Sequence, residues 1–259
     1  GKTYTMLADA HEAKKDGIDV VAGYIEPHVR PETTALLEGL ESIPSLEIEY
    51  KAVSLREFDL DRAIRRRPEL ILVDEIAHTN ANGCRHKKRY QDVEELLQAG
   101  IDVYTTINVQ HIESLNDVVA SITGITVRER IPDSVFDNAD QVELVDIEPE
   151  ELIDRLNKGK VYREEQAQRA LANFFTREKL IALREIALRR TADHVNKVAA
   201  QNSEPSKSGG SYANEHILVC LSPALSNAKV IRTAARMADA FHGAFTALFV
   251  ETPEMLKLS

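Results

Sequence analysis

Leu70-Ile71-Leu72-Val73-Asp74-Glu75 decides how this chain folds. An unbroken apolar run of this length reads as a strand covered on both faces, which is the habit of parallel sheets. The two acids that end it stand at the strand's carboxyl end, where open α/β sheets bind their ligands. Upstream, Thr3 to Lys15 reads as a helix with Met6, Leu7, Ala10 and Ala13 on one face and Gly17 as its stop. A strand Ile18 to Ile25 follows, and Pro31-Glu32 opens a short helix through Leu40. Leu46 to Val53 looks extended, and Asp59 caps a helix carrying Arg65-Arg66-Arg67 at its C-terminal end, where cations suit the dipole. Downstream lie a helix from Lys88 to Gln98, stopped by Gly100, and a strand Ile101 to Ile107 ending at Asn108. Strands alternating with helices predict βαβ units.

Beyond Ile112 the pattern weakens, with Val127 and Val142 to Val145 as expected strand pieces. Helical texture returns at Glu151 to Leu156 and runs from Glu164 to Val198 through Leu171, Phe174, Phe175, Leu180, Leu183, Ile186, Ala187 and Val195, an α-rich appendage to the sheet. The segment QNSEPSKSGGSYANE, Gln201 to Glu215, has the composition of a flexible linker. After it come a strand Ile217 to Leu221, a helix Ser226 to Ala240 and a strand Phe245 to Val250, too little chain for a large core of its own. The expected domains are therefore 1–200 and 216–259, joined by a linker over 201–215.

The chain has 259 residues, 43% hydrophobic and 29% charged, with no tryptophan, which is a globular composition. A formal charge of −10 repels a phosphate backbone and argues against general nucleic-acid binding. The acidic excess falls in the first part, since from His216 onward Lys229, Arg232, Arg236 and Lys257 face Asp239, Glu251 and Glu254. No run approaches the roughly 18 apolar residues of a membrane helix, and the start is no secretory signal, so a cytoplasmic chain with reduced Cys84 and Cys220 is expected. A start at Gly1 without Met suggests a fragment.

Gly1-Lys2-Thr3 leading into a helix matches the second half of a phosphate loop, G-x-x-x-x-G-K-[ST], without its first glycine and the residues after it. In such a loop helix N–H groups meet phosphate, the lysine reaches the β- and γ-phosphates, and the hydroxyl ligates Mg. Alone, Gly-Lys-Thr is equally an ordinary helix start. Paired with Leu70 to Glu75 it gains weight, because a Walker B strand puts an acid, here Asp74, at the Mg shell and leaves Glu75 to polarise a water. Asn108 either senses a γ-phosphate or is a solvated turn residue. Glu26 and His28 either line a nucleotide pocket or simply flank Pro27. His78, Cys84, His86 and His111 match no usual zinc spacing, and Arg85-His86-Lys87-Lys88-Arg89 reads as a solvated face rather than an anion grip.

GKTYTML, LILVDEIAHTNANG, RYQDVEELLQAGIDVYTTINVQHIESLNDVV and FFTREKLIALREIALRRTADHV together resemble the N-terminal region of the KdpD sensor histidine kinases, nearly continuously from Gly1 to Val198. The part after the linker looks like the start of the universal-stress-protein domain that follows in that family. The resemblance implies an α/β fold: a P-loop-type parallel sheet with a helical appendage, then a truncated α/β universal-stress-protein-like domain. It also implies the cytoplasmic nucleotide-binding regulatory region of an inner- or plasma-membrane two-component kinase controlling potassium-uptake genes. ATP and Mg would be held at Gly1, Lys2, Thr3, Asp74 and Asn108, with Glu75 as the catalytic carboxylate of any hydrolysis. The phospho-accepting and catalytic kinase domains lie elsewhere in such proteins, and the response regulator, the rest of the kinase and a second copy are the implied partners.

Some members carry S-x-S followed by F-T-A-x-Y, associated with cyclic di-AMP. The matching positions here are Ser222 and Ala224, then Phe245, Thr246, Ala247 and Phe249, with Ser226 as a substitute for the hydroxyl missing at Ala224. The other reading makes this a core strand with Ser222 as a helix cap. Three functions stay open: an ATP-Mg switch, a cyclic di-AMP sensor and a stand-alone P-loop ATPase.

Overall fold

The computed structural model describes residues 1–26, 31–50, 53–157, 176–202, 216–222, 227–241 and 243–250. Its centre is a four-stranded parallel sheet in the order β2-β1-β5-β6, formed by β1 (Val20–Tyr24), β2 (Glu41–Ser42), β5 (Leu70–Val73) and β6 (Asp102–Thr105). β5 is an inner strand, and its side chains alternate between two cores. Leu70 and Leu72 pack with Val20 under Met6, Leu7, Ala10 and Ala13 of helix α1 (Lys2–Lys15). Ile71 and Val73 face Leu60 and Ala63 of α3 (Leu60–Arg66), together with Val93 and Leu96 of α4 (Arg89–Gln98). Burial on both sides is why the sequence shows a run rather than an alternation.

Gly23 fits the second core because it lacks a side chain. A Cβ there would lie 2.7 Å from Ile71 Cδ1 and 3.0 Å from Phe58. The β1–β5 register shifts at this point, between Ala22 and Tyr24. The N-cap of α3 is as expected: Asp59 Oδ1 accepts from the Arg62 N–H at 2.9 Å. Arg66 closes the far end by donating to both carboxylate oxygens of Asp19 and of Glu41.

Two expectations are corrected. The segment expected to be one extended stretch is the first arm of an antiparallel pair, β3 (Leu46–Tyr50) with β4 (Val53–Glu57), in which Leu46 lies opposite Glu57. The polar residues of β4 hid it, and its last residue matters below. No strand forms at Val127 or Val142 to Val145. The Val127 carbonyl accepts from Asn116 Nδ2 at 3.0 Å, and pairing near it is limited to a bridge between Ile112 and Ile131.

Short elements follow: α2 (Pro31–Ala35) early in the chain, then α5 (Asn116–Thr123), α6 (Asp133–Asp137), α7 (Pro149–Asn157) and the long α8 (Arg177–Asn202). Leu171, Phe174 and Phe175 lie outside the described residues. β7 (His216–Leu221) and β8 (Ala244–Phe249) form a separate parallel pair joined through α9 (Asn227–Ala240). α9 meets the first part of the chain through arginines. Arg232 binds both oxygens of Asp117 at 2.9 and 2.7 Å and Glu113 at 3.0 Å, and Arg236 donates to the Ser114 carbonyl at 2.6 Å.

Candidate functional site

Three chain segments converge at the carboxyl edge of the sheet: the start of α1, the end of β5 and the segment after β6. Gly1 precedes the first turn of α1, whose N–H groups have no partner within the helix. Lys2 reaches across to the segment after β6, where its Nζ donates to Asn108 Oδ1 at 2.7 Å; Asn108 lies three residues past the strand's last residue, Thr105, and not at its end as expected. One residue on, Thr3 Oγ1 donates to Asp74 Oδ2 at 3.1 Å. Asp74 is fully buried, and its other oxygen accepts from the Thr106 hydroxyl and from the Glu75 N–H, the latter at 3.1 Å. Glu75 then turns the chain with a left-handed backbone, φ 55.

Lys2, Thr3, Asp74, Glu75 and Asn108 are thus brought to one edge. An ammonium, a hydroxyl and a buried carboxylate beside the N-terminal turn of α1 form a set of groups suited to a phosphate chain with a hard, oxygen-seeking cation. Thr106 is a member that sequence reading missed. It stands in the Thr105-Thr106 pair at the end of β6, and only the β5–β6 register brings it to Asp74.

A second layer lies beneath Asp74. Arg89 is fully buried, which corrects the reading of residues 85–89 as a solvated face at that one position, while Arg85 and Lys87 are exposed as expected. Its Nη1 donates to the Asp74 carbonyl and its Nη2 to Glu57 Oε2, both at 3.1 Å, and its guanidinium lies 4.1 Å from the centroid of the Tyr24 ring. The neighbours of Arg89 in that run are also engaged: Arg85 pairs with Asp61 and Glu95, and His86 Nε2 meets Glu95 Oε2 at 2.7 Å. Glu57, at the end of the unforeseen strand β4, also receives the Ala81 N–H at 2.9 Å and faces His78 Nε2 at 3.1 Å. Burial pushes the Glu57 carboxyl up. The hydrogen bonds from His78 and Ala81 and the charges of His78 and Arg89 outweigh it, holding the group below its ordinary range. Tyr24 moves the other way, raised first by burial and then by Glu26, whose carboxylate accepts its hydroxyl at 3.0 Å. Burial likewise pushes the Cys84 thiol up to about 11, with Glu57 and Asp92 adding to it. His28 lies outside the described residues.

The residues singled out near the C-terminus are arranged differently. Phe245, Ala247 and Phe249 alternate along one face of β8, and Thr246 is on the other, with its hydroxyl 2.7 Å from the His216 ring. Ser222 stands just past the end of β7, its N–H donating to Asn227 Oδ1 at 3.3 Å. Phe249 pairs with Leu221 at that same end, whereas Thr246 pairs with Leu218 farther back. Ser222 and Phe249 therefore share an edge that Thr246 does not. Ser226 lies outside the described residues.

Residues 1–195 match the family described as the osmosensitive K+ channel His kinase sensor domain, KdpD. Across 99% of its length the chain is 57% identical to the sensor protein KdpD of Clostridium acetobutylicum, of which it covers 29%. Across 100% of its length it is 50% identical to the sensor protein KdpD of Escherichia coli K12, again covering 29% of that protein. A putative sensor protein KdpD from Synechocystis is 45% identical over 96% of the chain, which spans 67% of it. The chain therefore spans under a third of the first two relatives and about two thirds of the third. No described helix is long and apolar enough to cross a membrane. On this match and these identities, the chain belongs to the KdpD family.

Proposed function

We infer that the first part of the chain is an ATP- and Mg-responsive regulatory region of a two-component sensor histidine kinase that governs potassium uptake. In this reading the parallel sheet and α1 form a P-loop-type nucleotide site. The observation that carries it is the pair of bonds Lys2–Asn108 and Thr3–Asp74, which bind the start of the first helix to the segments that follow two different strands at one edge. Lys2 is held on a neutral amide oxygen, a weaker partner than a phosphate oxygen, so a nucleotide would draw the ammonium away and leave Asn108 to address the γ-phosphate. Thr3 and Asp74 are the residues that would hold Mg, and bound Mg supplies neutralisation of phosphate charge. The Asp74 carboxylate is already oriented by Thr106 and the Glu75 N–H, so little reorganisation is needed. In this reading Glu75 would be the carboxylate that polarises a water, and any turnover is secondary to the switch. The rest of the kinase and its response regulator are the partners this role requires, and the region works on the cytoplasmic side.

Titration of ATP into the full-length protein, with and without Mg, tests this. Saturable binding that Lys2→Ala abolishes supports the reading, and equal affinity in wild type and Lys2→Ala defeats it. Fast turnover lost in Glu75→Gln with binding intact would favour a plain ATPase.

A second reading assigns the strand-helix-strand unit after the linker to a universal-stress-protein-like domain that takes cyclic di-AMP. Phe245 and Phe249 on one exposed face of β8, flanking the small Ala247, form a platform of the kind on which a base stacks. Calorimetric titration of cyclic di-AMP decides it: saturable heat lost in Phe249→Ala supports the reading, and no heat overturns it.

A further inference from the structure

The layer beneath Asp74 contains charged groups that the nucleotide chemistry does not use. Removing an arginine and a glutamate from water is costly, and apolar residues of similar volume often serve stability as well or better, so Arg89 and Glu57 are a poor choice for stability alone. Among the described residues no acceptor meets Arg89 Nε, which adds to that cost.

What the layer does is fix one turn. Arg89 Nη1 holds the Asp74 carbonyl, and the Glu75 N–H is shared between Asp74 Oδ1 and Thr106 Oγ1 at 3.1 and 3.2 Å. The Glu75 carbonyl accepts from the His78 N–H at 3.0 Å, and the His78 carbonyl accepts from the Arg89 N–H at 3.1 Å. Glu57 closes the ring by taking Arg89 Nη2, the Ala81 N–H and the His78 ring. A left-handed backbone at a residue other than glycine persists only where its surroundings over-determine it, and Glu75 at φ 55 is such a case.

We propose that Arg89, secured by Glu57, is a positioning residue for the nucleotide site: it clamps the Asp74–Glu75 turn so that the Asp74 carboxylate stays on Thr3 and ready for Mg. The role rests on the Mg-ATP reading and adds a residue to it that touches neither nucleotide nor cation. Its signature is selective. The share of ATP affinity contributed by Mg depends on Arg89, whereas the share contributed by Lys2 and the helix N-terminus does not.

The test uses full-length protein carrying Arg89→Lys, Arg89→Met or Glu57→Gln, with ATP affinity measured in Mg and in EDTA. Hydrogen exchange at the Glu75 amide is read alongside. Glu57→Gln keeps the shape of the layer and covers the case in which Arg89→Met fails to fold. The expected result is a loss of about tenfold or more in the Mg-dependent gain, with EDTA affinity within about twofold of wild type and faster exchange at Glu75. Retention of the Mg gain, with unchanged Glu75 exchange, overturns the proposal. An equal fall in both conditions also overturns it, because the role would then be structural. Absence of ATP binding in the wild type overturns the nucleotide reading and this proposal together, which distinguishes that failure from a failure of the clamp alone.

Discussion

The Lys2 ammonium sits 2.7 Å from Asn108 Oδ1, although 106 positions separate the two residues. This bond joins the first turn of α1 to the segment after β6, two parts of the chain that touch the central strand from different directions. On the proposed nucleotide reading, Asn108 is a partner that the lysine leaves when phosphate binds. Asn108→Ala should therefore weaken ATP more than ADP, reducing the ATP-over-ADP preference by about tenfold, one charge-assisted hydrogen bond's worth. Competition of the two nucleotides for one fluorescent analogue measures that ratio, and an unchanged ratio would remove Asn108 from γ-phosphate recognition.

At Glu75 a backbone effect and a side-chain effect can be separated. Glu75→Ala and Glu75→Gly lose the same carboxylate, so turnover should fall alike in both. Only glycine relieves the left-handed backbone at φ 55, and the Gly variant should be the more stable of the two by about 1 kcal/mol in urea unfolding. Equal stability would show that the turn is not strained.

Asp92 gives the fold a pH dependence. Burial pushes its carboxyl up to about 6, against the hydrogen bond from Asn80 Nδ2 at 2.6 Å. The folded protein then keeps a proton that the unfolded chain releases from about pH 4 upward, so stability falls as pH rises between about 4 and 6 and stays reduced above that window. Asp92→Asn removes this titration. It should exceed wild type by about 3 kcal/mol at pH 7.5 and match it near pH 4. Paired denaturant curves at the two pH values provide the check.

The arginines of α9 make the contact with the first part of the chain testable. Arg232 is only 14% exposed in its side chain and holds both oxygens of Asp117. A double-mutant cycle with Arg232→Ala and Asp117→Ala should return a coupling of about 1 kcal/mol, decreasing as salt is raised. Amide exchange along α9 should quicken in Arg232→Ala, and a coupling near zero would mean that this contact does not hold α9.

How much could be read from the sequence follows from which interactions are local. Strand β5, its two acids and the helix starts carry their signals in adjacent residues, so the parallel α/β sheet was legible. So was the convergence of Lys2, Thr3 and Asp74, since an acid at the end of a parallel strand must stand at the carboxyl edge of the sheet; Asn108 was left open between two readings, and it lies three residues past the end of β6. Thr106 was not, because a hydroxyl in a strand means little until the register sets it against Asp74. Arg89 was hidden for the opposite reason: four polar neighbours made it look solvated, and its burial rests on distant partners, Glu57, the Asp74 carbonyl and the Tyr24 ring. Glu57 in turn belongs to a strand whose mixed composition concealed the antiparallel pair. The stretch Val142 to Val145 shows the reverse error, in which β-branched residues without a pairing partner form no strand.

The most direct test of the account observes Lys2 and Asn108 themselves. In an NMR titration of this region with Mg-ATP, the Asn108 side-chain amide and the Lys2 ε-methylene should shift together and saturably, with the Asn108 response absent in Lys2→Ala. If both signals stay still at saturating nucleotide, or if the shifts fall only on β7 and β8, the proposed site is not where ATP acts.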